Sequence, residues 1–120
     1  MERLTPQEES VMLLIWPLGE CAIKDVVDKM EEPKPPYTTV ASIFRNLENK
    51  GFLTKRRFGN VKVFKPKISE AAYKTHFLSG VVENYFDNSY KELVSFFAKE
   101  QKVTSDELEE IIRLIENARK

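Results

Sequence analysis

Between residues 38 and 67 the spacing of apolar side chains changes once, at Gly51, and that change restricts what the chain can fold into more than any other feature. Before Gly51, Val40, Ile43, Phe44 and Leu47 recur at i, i+3, i+4 and i+7, the stripe of a half-buried helix from about Thr38 to Lys50. Gly51 is the expected C-cap. After it the period shortens to that of strands. The run from Leu53 to Phe58, a Gly59-Asn60 turn and the run from Val61 to Lys65 read as a β-hairpin, which Pro66 closes.

On a helical wheel Thr38, Ser42, Arg45 and Asn49 lie nearly opposite the apolar stripe. An ordinary solvent face mixes Glu with Lys. This one carries short hydrogen-bonding side chains and one arginine, with no acid among them. The hairpin that follows carries Lys55, Arg56, Arg57, Lys62 and Lys65. A formal net charge of zero therefore hides a division. Residues 33–67 hold nine basic groups and one acid, Glu48, whereas residues 1–32 hold three basic and eight acidic groups. A basic middle between acidic flanks is the electrostatic footprint expected for a polyanion, although a charge run alone is more often a solvated face.

Two shorter helices precede this pair. Thr5-Pro6-Gln7-Glu8 reads as a capping box with proline at the first helical position, and Val11, Leu14 and Ile15 give the buried stripe. Trp16-Pro17-Leu18-Gly19 is expected to stop that helix, with Trp16 packing it on the hairpin. A second helix over roughly 23–30 turns Ile23, Val26, Val27 and Met30 inward, and Glu31-Glu32-Pro33-Lys34-Pro35-Pro36 is a connector. Helix, helix, polar-faced helix, basic hairpin is the order of a winged helix-turn-helix. In that arrangement the third helix fits the major groove and the hairpin lies along the phosphate backbone. The fold class expected is mainly α with a small β-hairpin wing, the wing domain at 1–68 and a helical dimerisation region at 69–120.

Ser69, Ser89 and Thr104 each open a further helix, the last two as capping boxes with Glu92 and Glu107. Phe77, Phe86, Leu93, Phe96, Phe97, Leu108, Ile111, Ile112 and Ile115 give these helices more apolar surface than three short segments bury against themselves. Self-association about a two-fold axis is the expected outcome, the competing arrangement being that they fold back on the N-terminal domain. No long apolar run is present, so no membrane span is expected, and the N-terminus lacks the pattern of a secretory signal; a cytoplasmic location is the default.

Several segments resemble the penicillinase repressor family of winged-helix regulators. The run Val11-Met12-Leu13-Leu14-Ile15-Trp16-Pro17-Leu18-Gly19-Glu20 is similar to its first-helix signature. Tyr37-Thr38-Thr39-Val40, Leu47 and Lys50-Gly51-Phe52-Leu53 are similar to its recognition-helix signature. Gly59, Val63, Phe64 and Pro66 match its wing, and Ser89, Leu93 and Val94 its penultimate helix. The resemblance implies a homodimer that binds palindromic double-stranded operator DNA and represses antibiotic-resistance or related genes. It implies that Thr38, Thr39 and Ser42 face bases, that Arg45 reaches a base or a phosphate, that Asn49 shares that face, and that Lys55, Arg57, Asn60 and Lys62 hold the backbone. Two departures qualify it. Inducible members are cut by a sensor protease at an asparagine–phenylalanine bond, where this chain has Ser95-Phe96-Phe97, and copper-responsive relatives end in a cysteine-rich motif, whereas nothing after Cys21 here is cysteine. Asn60 also replaces the usual wing arginine.

Catalysis and metal binding have little to stand on. His76 is the single histidine and Cys21 the single cysteine, too few for a triad or a ligand set, and no phosphate-cradling glycine loop occurs. Cys21 reads as a small buried hydrophobe. No cofactor or metal is expected, and no enzyme. The reading from another class is a winged helix that binds protein and not DNA, for which the acid-free face of residues 38–49 would serve no purpose.

Overall fold

A computed structural model describes residues 1–118. Among them the order is α1 (Pro6–Leu18), α2 (Ile23–Lys29), α3 (Tyr37–Asn49), β1 (Leu53–Phe58), β2 (Val61–Pro66), α4 (Glu70–Tyr85), α5 (Tyr90–Lys99) and α6 (Ser105–Ala118). The chain forms two compact units, Met1–His76 and Phe77–Lys120, which divide inside α4.

In the first unit α1 starts where the capping box places it. The Thr5 hydroxyl accepts from Glu8 N at 3.2 Å and Glu8 Oε1 accepts from Thr5 N at 2.9 Å. α1 ends within the expected run, passing through Pro17 to Leu18 with Gly19 as its C-cap. So close to the end proline removes only one intrahelical bond, and the Gly19 N–H closes the last turn on Ile15 O at 2.9 Å. Gly19 does so at φ +72°, a conformation that suits glycine. Trp16 reaches beyond the hairpin: its indole N–H donates to Ile68 O at 2.9 Å and its ring lies 5.4 Å from that of Tyr73, so it also braces α1 against the start of α4. The Tyr73 hydroxyl in turn donates to Glu9 Oε2 at 2.5 Å.

The core lies between α1, α2, α3 and one face of the hairpin. Val11, Met12 and Ile15 of α1, Val26 of α2, Val40, Phe44 and Leu47 of α3, and Phe52, Leu53 and Phe64 are all buried. The Phe44 ring meets Phe64 edge-on at 4.9 Å, which locks α3 to β2. The strands pair antiparallel with Phe58 opposite Val61, so the turn is Gly59-Asn60 as the sequence indicates. Cys21 is buried and adds a two-way backbone bridge to Phe64, its N–H donating at 2.9 Å and its carbonyl accepting at 2.7 Å. Burial, then the nearby Asp25 charge, push its thiol up to about 11, the behaviour of a packed hydrophobe and not of a nucleophile.

In the second unit Thr104 and Glu107 form a complete capping box for α6. At α5 only half of the expected box forms: the Ser89 hydroxyl accepts from Glu92 N, while the Ser89 N–H goes to Phe86 O at 2.9 Å. Neither α5 nor α6 has a buried residue.

Candidate nucleic-acid interface

The sequence places α3 by its apolar stripe, and the structure holds that stripe deep. With Val40, Phe44 and Leu47 fully buried, the opposite face is fixed outward: Thr38, Thr39, Ser42, Arg45 and Asn49 are all exposed. Asn46 and Tyr37, which the wheel did not single out, are exposed with them. Ser42 Oγ donates back to Thr38 O at 3.1 Å, which spends its proton on the helix and leaves its oxygen able to accept. Arg45 makes no ion pair or side-chain hydrogen bond among the described residues. A face of hydroxyls, amides and one uncommitted guanidinium can both donate to and accept from base edges.

Hairpin register sorts the wing residues onto two faces. Leu53, Lys55 and Arg57 share one face with Pro66, Phe64 and Lys62, while Thr54, Arg56 and Phe58 share the other with Lys65, Val63 and Val61. The first face is core at its base and cationic at its tip, where Arg57 stands directly opposite Lys62. Like charges in that position oppose strand pairing, and an anion between them removes the conflict.

The nine cations of residues 33–67 are not equivalent. Lys34 Nζ caps α2 through the carbonyls of Met30, Val27 and Asp28, at 2.7, 3.0 and 3.3 Å. Lys50 Nζ is 2.5 Å from Glu8 Oε1 and 2.8 Å from Arg3 O. Lys55 Nζ lies 3.5 Å from Glu48 on α3, and Arg56 Nε donates to Glu20 Oε1 at 2.8 Å. Arg45, Arg57, Lys62, Lys65 and Lys67 remain without an internal partner among the described residues. Lys55 therefore does two jobs, tying the wing to α3 while staying exposed. Asn60 is exposed at the turn.

The residues expected at a dimer interface lie on α4–α6 and at their junctions. Phe77, Phe96, Phe97, Ile111, Ile112 and Ile115 are exposed; Phe86, Leu93 and Leu108 are half-buried. Phe86, Phe96 and Phe97 form an edge-to-face series with centroids 5.7 and 5.5 Å apart. The sequence reading missed Leu114, 67% exposed, because it does not fall on the stripe it followed along α6. No helix is long and apolar enough to cross a membrane, and no cluster of three or more metal-ligating side chains occurs, both among the described residues. His76 is exposed on α4.

No curated protein matches the chain by sequence. Among solved structures it is similar to the organohalide-sensing transcriptional regulator RdhR in its ligand-free form, with TM-score 0.51 and 17% identity over 98% of this chain and 63% of that one. The same regulator with 2,4-dichlorophenol bound gives TM-score 0.50 at 16% identity and the same coverage, so the chain spans 63% of that regulator's length. A ZitR variant from Lactococcus lactis gives TM-score 0.45 at 17% identity, over 98% of this chain and 75% of that one. At these identities the likeness to the organohalide-sensing regulator speaks for the fold alone. The family model described as penicillinase repressor matches residues 4–117, nearly the whole chain. The chain belongs to the penicillinase repressor family.

Proposed function

We propose that this protein is a homodimeric repressor that binds a palindromic operator in double-stranded DNA. α3 enters the major groove with Thr38, Thr39, Ser42, Arg45 and Asn49 toward base edges. The wing, through Lys55, Arg57, Asn60 and Lys62, follows the backbone. The observation that carries this reading is the acid-free exposed face of α3, with Arg45 uncommitted, beside a wing tip whose Arg57 and Lys62 also lack internal partners.

The division of labour follows the sequence boundary: residues 1–68 bind DNA and residues 69–120 associate. Apolar side chains on α5 and α6 with no burial of their own favour a second copy as the cover, and two-fold symmetry matches a palindrome. Two recognition helices about 34 Å apart would then occupy successive major grooves, and occupancy over a promoter excludes polymerase. Resistance-type genes are the family's characteristic targets and the ones we infer here, and the site of action is the cytoplasm, where that DNA lies. The sequence contains no Asn-Phe pair, so a sensor protease partner that relieves repression would cut at a different bond.

The test is fluorescence anisotropy of the purified chain on DNA from upstream of its own gene and on a scrambled duplex, at two salt concentrations. Tighter, salt-dependent binding to the native fragment with two chains per site is expected. Equal, salt-independent binding to both would overturn the DNA reading and favour a protein-binding winged helix.

A further inference from the structure

The outermost tier of the wing is apolar. Phe58 and Val61 face each other across the Gly59-Asn60 turn and are 68% and 52% exposed. A hairpin tip exposed only to water gains nothing from two large apolar side chains. The Phe58 ring is nevertheless oriented: the Arg56 guanidinium lies 5.6 Å from its centroid, and Glu20 fixes that guanidinium. One tier inward stand Arg57 and Lys62, both uncommitted, and from Gly51 to Ser69 the chain contains no acidic residue. The apolar pair shares its hairpin face with Arg56, which Glu20 engages, while the free cations Arg57 and Lys62 stand one tier inward on the opposite face. A partner that embraces the tip therefore meets apolar side chains on one face and two uncompensated positive charges on the other. That suits a duplex groove, with its aromatic and sugar faces beside phosphates, better than an apolar protein surface.

We propose that Phe58, with Val61 beside it, is an apolar wedge that enters the minor groove of the bound duplex and loosens one base step, while Arg57 and Lys62 hold the flanking phosphates. This rests on the DNA-binding reading above. Partial unstacking costs free energy, and burial of the aromatic ring against the opened step offsets it. The wedge reads how easily a step deforms, so it adds specificity without a hydrogen bond to any base. Its contribution is separable from that of the cations because it neutralises no phosphate.

The experiment uses duplexes that the full chain enriches from a random-sequence pool, with 2-aminopurine placed at successive steps outside the major-groove contacts. The wild type is expected to raise 2-aminopurine fluorescence at one step in each half-site. Phe58→Ser should abolish that rise and weaken binding about tenfold, the scale of losing one stacked aromatic contact. The dependence of affinity on salt should stay as steep as in the wild type, and Phe58→Leu should restore most of the affinity. Since Phe58 is exposed, unchanged Trp16 fluorescence is expected to show that the variant is folded. Wild-type affinity in Phe58→Ser, or a shallower salt slope, would overturn the wedge while leaving the DNA reading intact. A change in oligomeric state by sedimentation would overturn it in favour of contact between copies. Failure of the chain to enrich any duplex would overturn both.

Discussion

Glu8 is the buried charge on which α1 and the end of α3 both depend, and replacing it tests how the first unit is held together. It is 4% exposed, closes the α1 capping box with Thr5, and accepts from Lys50 Nζ at 2.5 Å. Glu8→Ala removes the cap's reciprocal bond, worth about 1 kcal/mol. It also removes a charge-assisted bond, for which we take about 1.5 kcal/mol, the low end of the usual range. The low end is appropriate because the Lys50 side chain is 25% exposed and retains Arg3 O as an acceptor. The expected loss is about 2.5 kcal/mol, or roughly 10–20 °C in Tm for a unit of this size. Glu8→Gln keeps an acceptor for Thr5 and should lose about half as much. Trp16, the single tryptophan, lies in the same helix, so urea unfolding followed by its fluorescence reads this unit directly. The acid limb gives a second readout. Burial pushes the Glu8 pKa up, but the hydrogen bonds from Lys50 and Thr5 and the Lys50 charge outweigh it and hold the carboxyl below its ordinary value. A depressed carboxylate stabilises the fold above its unfolded pKa and loses that contribution as pH falls through the folded value. The wild type should therefore destabilise more steeply on acidification than Glu8→Gln. A loss under about 0.5 kcal/mol for Glu8→Ala, or additivity with Lys50→Met in a double-mutant cycle, would refute the reasoning.

Arg45→Ala should weaken operator binding by about 1–3 kcal/mol and relax preference at one position per half-site; an equal loss on operator and random DNA would make Arg45 a phosphate contact. Lys62→Ala should weaken binding to all sequences alike and reduce the salt slope by about one unit per contact, which an unchanged slope would contradict. Ile112→Glu, at an exposed position on an α6 with no buried residue, should shift sedimentation from dimer to monomer with Trp16 fluorescence unchanged. A persistent dimer would remove that face from the interface.

Much of the first unit was legible because its signals are local. A capping box, a period that switches at Gly51 and a Gly59-Asn60 turn each specify backbone geometry within a few residues, and α1, α3 and the hairpin appear where those signals put them. The stop at residues 16–19 was legible for the same reason, since Gly19 N–H closes the last turn on Ile15 O. Signals that depend on a distant partner were read less completely. Trp16 looked like a hairpin residue because nothing in the sequence announces that Ile68 offers it a carbonyl. Tyr37, Phe58 and Leu114 were passed over since periodicity reports which side is buried and says little about an exposed residue's use.

The same distinction limits what charge counting reveals. Nine basic groups in residues 33–67 suggest eighteen cations for a dimer, but Lys34, Lys50, Lys55 and Arg56 are engaged with carbonyls or carboxylates from elsewhere in the first unit. Breaking the Lys50–Glu8 contact to reach a phosphate would unmake a helix cap, so that lysine stays where it is. Lys34 closes the end of α2 in the same way. Five uncommitted cations per chain and the exposed Lys55 remain, so residues 33–67 supply at most twelve phosphate contacts per dimer. The logarithm of affinity should therefore fall against the logarithm of salt concentration with a slope no steeper than about −11 from this segment. A measured slope near −16 would mean that the engaged cations abandon their internal partners on binding, and the wing would then be remodelled by DNA instead of being presented to it ready-formed. A slope within the bound, together with an Arg57→Ala change of about one unit per contact, would locate the electrostatic contribution at the wing tip, where the Arg57–Lys62 opposition already disfavours the unbound state.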